Sequence, residues 1–334
     1  FFTQLGISPD AVAGVGVGEI NAFECAGVFG FDSRLARLQA LRDGYRLLTA
    51  VADHPKTPRC VCLSSDGLPL ETLRACLAPH GDQAVIAREH SANLFGLSVR
   101  PAAAEAVMRS LKEAGATVRV LPLVQPYHTP WMEPVKPELA AFFGKLIRQP
   151  ATVPVYSCML AAPHEGPPAA WVDHAASQWT RPLRFADTIR RLHDDGFRVF
   201  VELGARGSLT ASIDAILHHR PHVALAANRG HRSDIQQMHT TLAALAAHGQ
   251  RIDIAQLHRN RGSRLVDLER PRPTHAHRAE RMLPVGTALP SLRAAEIPDG
   301  LVAPQAPSPV GLRPPADPAA RQAPDGLTDF PLLL

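Results

Sequence analysis

The sequence predicts an α/β protein: an α/β body interrupted by an inserted ferredoxin-like βαββαβ subdomain. Three observations carry that reading. A glycine-rich turn, Gly14-Val15-Gly16-Val17-Gly18-Glu19, joins the apolar stretch Ala11-Val12-Ala13 to a helix-like one, Ile20 to Ala26. Between Arg59 and Leu123 the strand-like and helix-like segments alternate in the order βαββαβ over about 65 residues. A composition of 46% apolar but only 5% aromatic residues suits an Ala/Leu/Val-rich α/β core, and 334 residues hold one large or two ordinary domains.

Each element has its own justification. Leu35, Leu38, Leu41, Leu47 and Leu48 recur at helical spacing, predicting a helix over Leu35 to Val51 with Gly44 as its weak point. Cys60 to Leu63 reads as a strand, and Leu68 to Leu77 as a helix opened by Asp66-Gly67. Gln83 to Arg88 and Asn93 to Val99 form a strand pair joined through Glu89-His90-Ser91-Ala92. Ala102 to Ala114 is a helix closed by Gly115, and Thr117 to Leu123 a strand. The body resumes with Val135 to Ile147 as a helix, Val153 to Ser157 as a strand and Ala186 to His193 as a helix. An apolar strand over Phe197 to Leu203 leads to a helix from Ser208 to Leu217, a strand at Val223 to Ala226 and a helix from Ile235 to Ala247. The expected division is a body over 1–58 and 124–262, the ferredoxin-like subdomain over 59–123, and a post-domain linker over 263–282. Of 31 prolines, 13 fall between Pro271 and Pro331, so 283–334 reads as a Pro/Ala-rich linker or disordered tail.

Composition narrows the function classes. The five cysteines (Cys25, Cys60, Cys62, Cys76, Cys158) have no zinc-like spacing, and an odd, sparse set fits a reducing cytoplasm. Cys60-x-Cys62 on a strand reads as packing. His218, His219 and His222 lack an accompanying carboxylate or cysteine, so no metal is expected. No apolar run reaches the length of a membrane span, and the net charge of +4 is modest. The late arginine run from Arg259 to Arg281 has no interleaved aromatics, which argues against nucleic-acid binding. The first residue is Phe1 rather than Met, which reads as a piece of a longer polypeptide. On that reading Phe1, Phe2, Leu5 and Ile7 are expected on an exposed apolar surface.

The glycine-rich turn allows two chemistries. A phosphate-cradling dinucleotide loop needs its third glycine three residues after the second, where Glu19 stands, and a carboxylate there repels a pyrophosphate. A nucleophile elbow, Gly-x-Ser-x-Gly, needs glycines on both sides so that the chain turns sharply and exposes a hydroxyl at a helix N-terminus. Here the frame is Gly14-x-Gly16-x-Gly18, and Gly16 has no side chain to attack with. Nucleotide binding stays as an alternative.

Read together, ordered blocks of the chain resemble the malonyl-CoA:acyl carrier protein transacylase family, especially acyltransferase domains of modular fatty-acid and polyketide synthases. Gly14 to Gly18 is similar to that family's Gly-His-Ser-x-Gly, and Glu19 to Phe31 to its elbow helix and Ala-Gly-Val turn. Pro126-Tyr127-His128-Thr129-Pro130 resembles the segment with the catalytic histidine. Gln178-Trp179, Pro182 to Phe185, Phe200 to Gly204 and Arg264 to Leu268 are similar to further blocks, so the resemblance covers about residues 1–270.

The resemblance implies a transacylase-like fold and ping-pong acyl transfer from acyl-CoA, through an acyl-serine, to phosphopantetheine on an acyl carrier protein. It requires no cofactor of the domain's own, and its partners are the carrier protein and a neighbouring ketosynthase, with neither nucleic acid nor membrane. His128 is implied as the general base, the backbone carbonyl in the region of Gln178 as its anchor, and the Val17 N–H as an oxyanion donor. Arg42, with Arg46 as second choice, is implied for the malonyl carboxylate, and Tyr127 for the acyl pocket. His90 replaces the asparagine of an Asn-Ser-Pro, Ala205 a proline, Val15 the histidine of the elbow, and Gly16 the serine itself. Cys25, about two turns down the elbow helix, is too distant to substitute. This copy is therefore expected to be inactive, which leaves its standing as an enzyme open and a structural or docking role within a synthase as the alternative.

Overall fold

The computed structural model describes residues 1–52, 54–230, 233–259 and Leu332–Leu333. Two compact units partition the chain: Phe1–Asp253 with Gly326–Leu334, and Ile254–Asp325. The described part of the second contains one 3-10 turn, Ile254–His258. The linker expected over 263–282 and the tail expected over 283–334 lie outside the described residues, apart from Leu332–Leu333.

In the first unit the order is β1 (Val12–Gly14), α1 (Val17–Cys25), α2 (Arg34–Ala52), β2 (Val61–Asp66), α3 (Leu70–Leu77), β3 (Ala84–Glu89), β4 (Leu94–Val99), α4 (Ala104–Glu113) and β5 (Thr117–Val120). It continues with α5 (Lys136–Leu146), β6 (Val155–Ser157), β7 (Ala162–His164), α6 (Pro168–Ser177), β8 (Leu183–Arg184), α7 (Phe185–Asp194) and β9 (Val199–Glu202). Last come α8 (Ser208–Ile216), β10 (Val223–Ala226), α9 (Asp234–Ala247) and β11 (Leu332–Leu333).

Among the described residues the strands form three sheets. In the first, β1 runs parallel to β6, with Val12 opposite Val155, and β7 closes antiparallel on β6. In the second, β10 and β11 flank β9, both parallel to it. The third has the order β5-β2-β4-β3-β8. Its first four strands are antiparallel in the split βαβ order, and β8 joins β3 in parallel. Because side chains alternate across a strand, one face of this sheet buries Leu63, Phe95, Leu97 and Val99 under Leu73 and Leu77 of α3 and Val107 and Leu111 of α4. Strand β5 ends at Val120 rather than Leu123, because Pro122 has no N–H to extend the ladder.

One expectation about apolar surface needs correction. The front of the chain folds into a 3-10 turn over Phe2–Leu5, and Phe2, Leu5 and Ile7 are buried; only Phe1 stays out, at 56% exposure. Helix α2 does form where the leucine spacing predicts it, but Leu35, Leu38 and Leu41 face outward. Its C-terminal half makes the packing contacts, through Leu47, Leu48 and Val51. Gly44 stays helical and is useful there: a Cβ on it would stand 3.1 Å from the Phe142 ring.

Around α1 the core is dominated by Phe23, which meets Trp171 of α6 edge-to-face at 5.3 Å. One turn earlier, the fully buried Glu19 receives a 2.8 Å hydrogen bond from Nε2 of His174, also buried. Among the described residues the second Glu19 oxygen has no partner. His174→Ala therefore strands a buried carboxylate, and the expected loss is about 3–5 kcal/mol in urea unfolding. A loss below about 1 kcal/mol would show that the pair is immaterial to the fold. Among the described residues no helix is long and apolar enough to cross a membrane, and no group of three or more His, Cys, Asp or Glu side chains could hold a metal ion.

Candidate functional site

Strand β1 turns into α1 within two residues, and the glycines make that turn possible. A Cβ built on Gly14 would overlap the Gly18 carbonyl and the Glu19 amide, so the strand end and the first helical turn touch backbone to backbone. Gly16 caps α1 at φ +60° and ψ −119°, a conformation that disfavours an L side chain. As first residue of α1, Val17 presents an N–H with no acceptor inside the helix, at the positive end of its dipole.

His128 faces this turn. A Cβ on Gly16 would lie 3.2 Å from Nε2 of His128 and 4.0 Å from Leu183. The histidine is held from three sides. Its own N–H donates to the Trp179 carbonyl (2.8 Å), its Nδ1–H donates to the Gln178 carbonyl (2.7 Å), and its ring stacks on Trp179 at 5.9 Å. A carbonyl only accepts, so Nδ1 carries the proton and the lone pair of Nε2 points at Gly16. The backbone at His128 adopts φ +65°, rare outside glycine, and these contacts fix it there.

Burial pushes His128 down to about 4, with the nearby Arg88 charge acting in the same direction and the Gln178 carbonyl opposing. The ring is thus neutral at pH 7, ready to accept a proton but a weak base. The sign of the linkage follows. The unfolded chain, with histidine near 6.5, takes up a proton before the folded one does, so stability is full above pH 6.5 and is lost as pH falls toward 4. The expected loss from His128 is about 3 kcal/mol. Urea midpoints across that range check it: His128→Asn should flatten the slope, and an unchanged slope would assign the acid sensitivity elsewhere.

Gly16, Val17, His128 and Tyr127 line one cavity of about 330 Å³, together with Val15, Trp179 and Arg88. Gln178 is fully buried behind it and contributes its backbone carbonyl, while its side-chain amide has no hydrogen-bond partner among the described residues. Arg42 is not brought there. It lies on the exposed side of α2, 3.5 Å from Asp43, and Arg46 shares that carboxylate. The cation in the cavity is Arg88, from β3, which sequence spacing misses. A register shift between Ile86 and Arg88 re-aims it, and its chain runs beside Gly96 on β4. His90 lines a neighbouring cavity of about 340 Å³ that shares Arg88 and Tyr127, and burial with the Arg88 charge pushes it down to about 4. Glu202 accepts from the backbone N–H (2.7 Å) and the hydroxyl (2.8 Å) of Thr210, in the first turn of α8.

Chemically, the cavity combines a guanidinium, a helix N-terminus and a neutral histidine. These groups suit an anionic or carbonyl-bearing ligand. At the point where Nε2 is aimed there is no atom to activate.

No family model matches the chain. The chain is similar to the mycoketide-CoA synthase of Mycobacterium tuberculosis, 30% identical over 244 residues, which is 72% of this chain and 5% of that protein. It is also similar to the phenolphthiocerol synthesis polyketide synthase Pks15/1 of Mycobacterium marinum, 29% identical over 281 residues, 83% of this chain and 12% of that one. Among solved structures it resembles the acyltransferase domain from the second module of the salinomycin polyketide synthase, with a TM-score of 0.64 and 29% identity, covering 79% of this chain and 61% of that one. The malonyl-CoA:acyl carrier protein transacylase of Streptococcus pneumoniae shares the fold at a TM-score of 0.60 and 19% identity, with 74% and 75% covered. The chain thus spans a small fraction of these synthases and about three-fifths of the salinomycin domain.

Proposed function

Because the chain has the α/β fold of acyltransferase domains of the malonyl-CoA:acyl carrier protein transacylase type, we propose that it is an acyltransferase domain of a polyketide or fatty-acid synthase that has lost its nucleophile. One observation carries the reading: Nε2 of His128 is aimed, at 3.2 Å, at the Cβ position of a residue that is glycine. In the family reaction a serine there attacks the thioester and the histidine takes its proton. Here His128 is anchored by Gln178 and Trp179 for that task, Val17 offers the amide for the oxyanion, and Arg88 takes the place of Arg42 as partner of a malonyl carboxylate. With Gly16 in place of serine, acyl-CoA binds without covalent transfer. The acyl carrier protein and a neighbouring ketosynthase, in the cytoplasm, are the partners of this reading, and no cofactor is needed.

A structural or docking role is the second reading, favoured by the outward-facing Leu35, Leu38, Leu41 and Tyr45 on α2. Nucleotide binding is the weakest of the three, since the carboxylate of Glu19 is buried against His174 inside the first turn of α1.

Calorimetric titration with malonyl-CoA, followed by intact-protein mass, tests the proposal. Heat of binding with no change in mass is the expected result. A malonylated chain would overturn the loss of function, and an absence of binding would leave docking as the better account.

A further inference from the structure

The face of the five-stranded sheet opposite α3 and α4 carries a pair of thiols that the acyl-transfer reading does not use. Cys60 and Cys62 are two residues apart where the chain enters β2, so their side chains share one face. Their Sγ atoms are 3.5 Å apart, and both side chains are buried. Cys62 Sγ also lies 3.4 Å from the Gln125 carbonyl. Cys62 lines the 340 Å³ cavity that holds Arg88, His90, Ser98 and Gln125, so a small molecule in that cavity meets Cys62 first.

We propose that Cys60 and Cys62 are a redox-active dithiol, converted by a small-molecule disulfide entering this cavity into a disulfide at the start of β2. The division of labour follows from the surroundings. A hydrogen bond from Cys60, the Arg88 charge and Ser98 together bring Cys62 down to about 7 against burial, whereas Cys60 is raised. Cys62 is therefore the attacking thiolate. It bonds to one sulfur of the small disulfide, whose S–S bond breaks and releases one thiolate. Cys60 then gives up its proton and attacks Cys62 Sγ, expelling the second thiolate. Two electrons pass from the protein to the small disulfide, which leaves as two thiols. A bridge between residues i and i+2 of a strand spans close to the longest Cα separation a disulfide tolerates, so it is readily reduced again by excess thiol.

The test is to incubate the full folded chain with oxidised glutathione and read free thiols, intact mass and the tryptic peptide 60–74, which holds both cysteines and no other. Titratable thiols are expected to fall from five to three, with the peptide two hydrogens lighter and restored by dithiothreitol. Cys60→Ser should stop at a glutathionyl adduct on position 62, and Cys62→Ser should take up none on this peptide. A wild-type chain that keeps all five thiols, carries a stable glutathionyl group on Cys62, or forms its bridge elsewhere would overturn the proposal. Each of those outcomes is read on the wild-type chain, so each counts even if neither variant folds.

Discussion

A Gly16→Ser variant is expected to become acylated by malonyl-CoA, where the unaltered chain is not. The geometry for it is already present. Gly16 holds the positive φ of an elbow, and a Cβ there points at Nε2 of His128. Two penalties accompany the change. A side chain at φ +60° and ψ −119° costs about 1–3 kcal/mol, and the 3.2 Å approach requires the imidazole or the turn to yield by a few tenths of an ångström. Neither prevents folding if the parent has ordinary stability. The catalytic effect is much larger, since losing the nucleophile of a hydroxyl–histidine pair costs about six orders of magnitude in turnover. Recovery will be incomplete, because a base near 4 accepts a proton reluctantly at pH 7. Adding His128→Ala should remove the adduct, and a Val15→His companion tests the remaining departure in the elbow.

The largest expected effect on stability comes two residues earlier. Gly14→Ala should prevent folding or cost more than about 4 kcal/mol, because its methyl group would have to share space with the Gly18 carbonyl and Glu19 amide. That is a clash with backbone, which no rotamer relieves. Gly18→Ala is the control: a Cβ there meets nothing within 4 Å. It sits inside the first turn of α1, where alanine is favoured over glycine by about 0.5–1 kcal/mol. Urea midpoints for the two variants should therefore move in opposite directions. Equal, small shifts would show that the tight contact between β1 and α1 is absent in solution.

These predictions rest on features with different visibility in the sequence. The antiparallel β2-β3-β4-β5 group is legible because short strand-like runs alternate with helix-like ones that carry their own stop signals, such as Gly115. Helix α6 is not, although Pro168 at its first position is a start signal. Its run Ala169-Ala170-Trp171-Val172-Asp173-His174 has too little contrast to mark an apolar face, and it is read only once Trp171 and His174 are seen packed on Phe23. At the site, ordered blocks are enough to point to Gly16, Val17, Tyr127 and His128, which share a cavity. They point to Arg42 only by its place on the helix after the elbow, where it faces solvent beside Asp43. Arg88 comes from another sheet and is turned inward by a register shift that spacing does not encode. The thiol pair is half visible: Cys60-x-Cys62 reads as packing, and the cavity over it depends on tertiary structure.

Intact-protein mass after incubation with malonyl-CoA, taken side by side for the unaltered chain, Gly16→Ser and Gly16→Ser/His128→Ala, tests the central claim most directly. The account predicts one malonyl adduct on the single variant, carried by the side chain at position 16, and none on the other two. An adduct on the unaltered chain would contradict it, and so would a folded Gly16→Ser protein that stays unmodified.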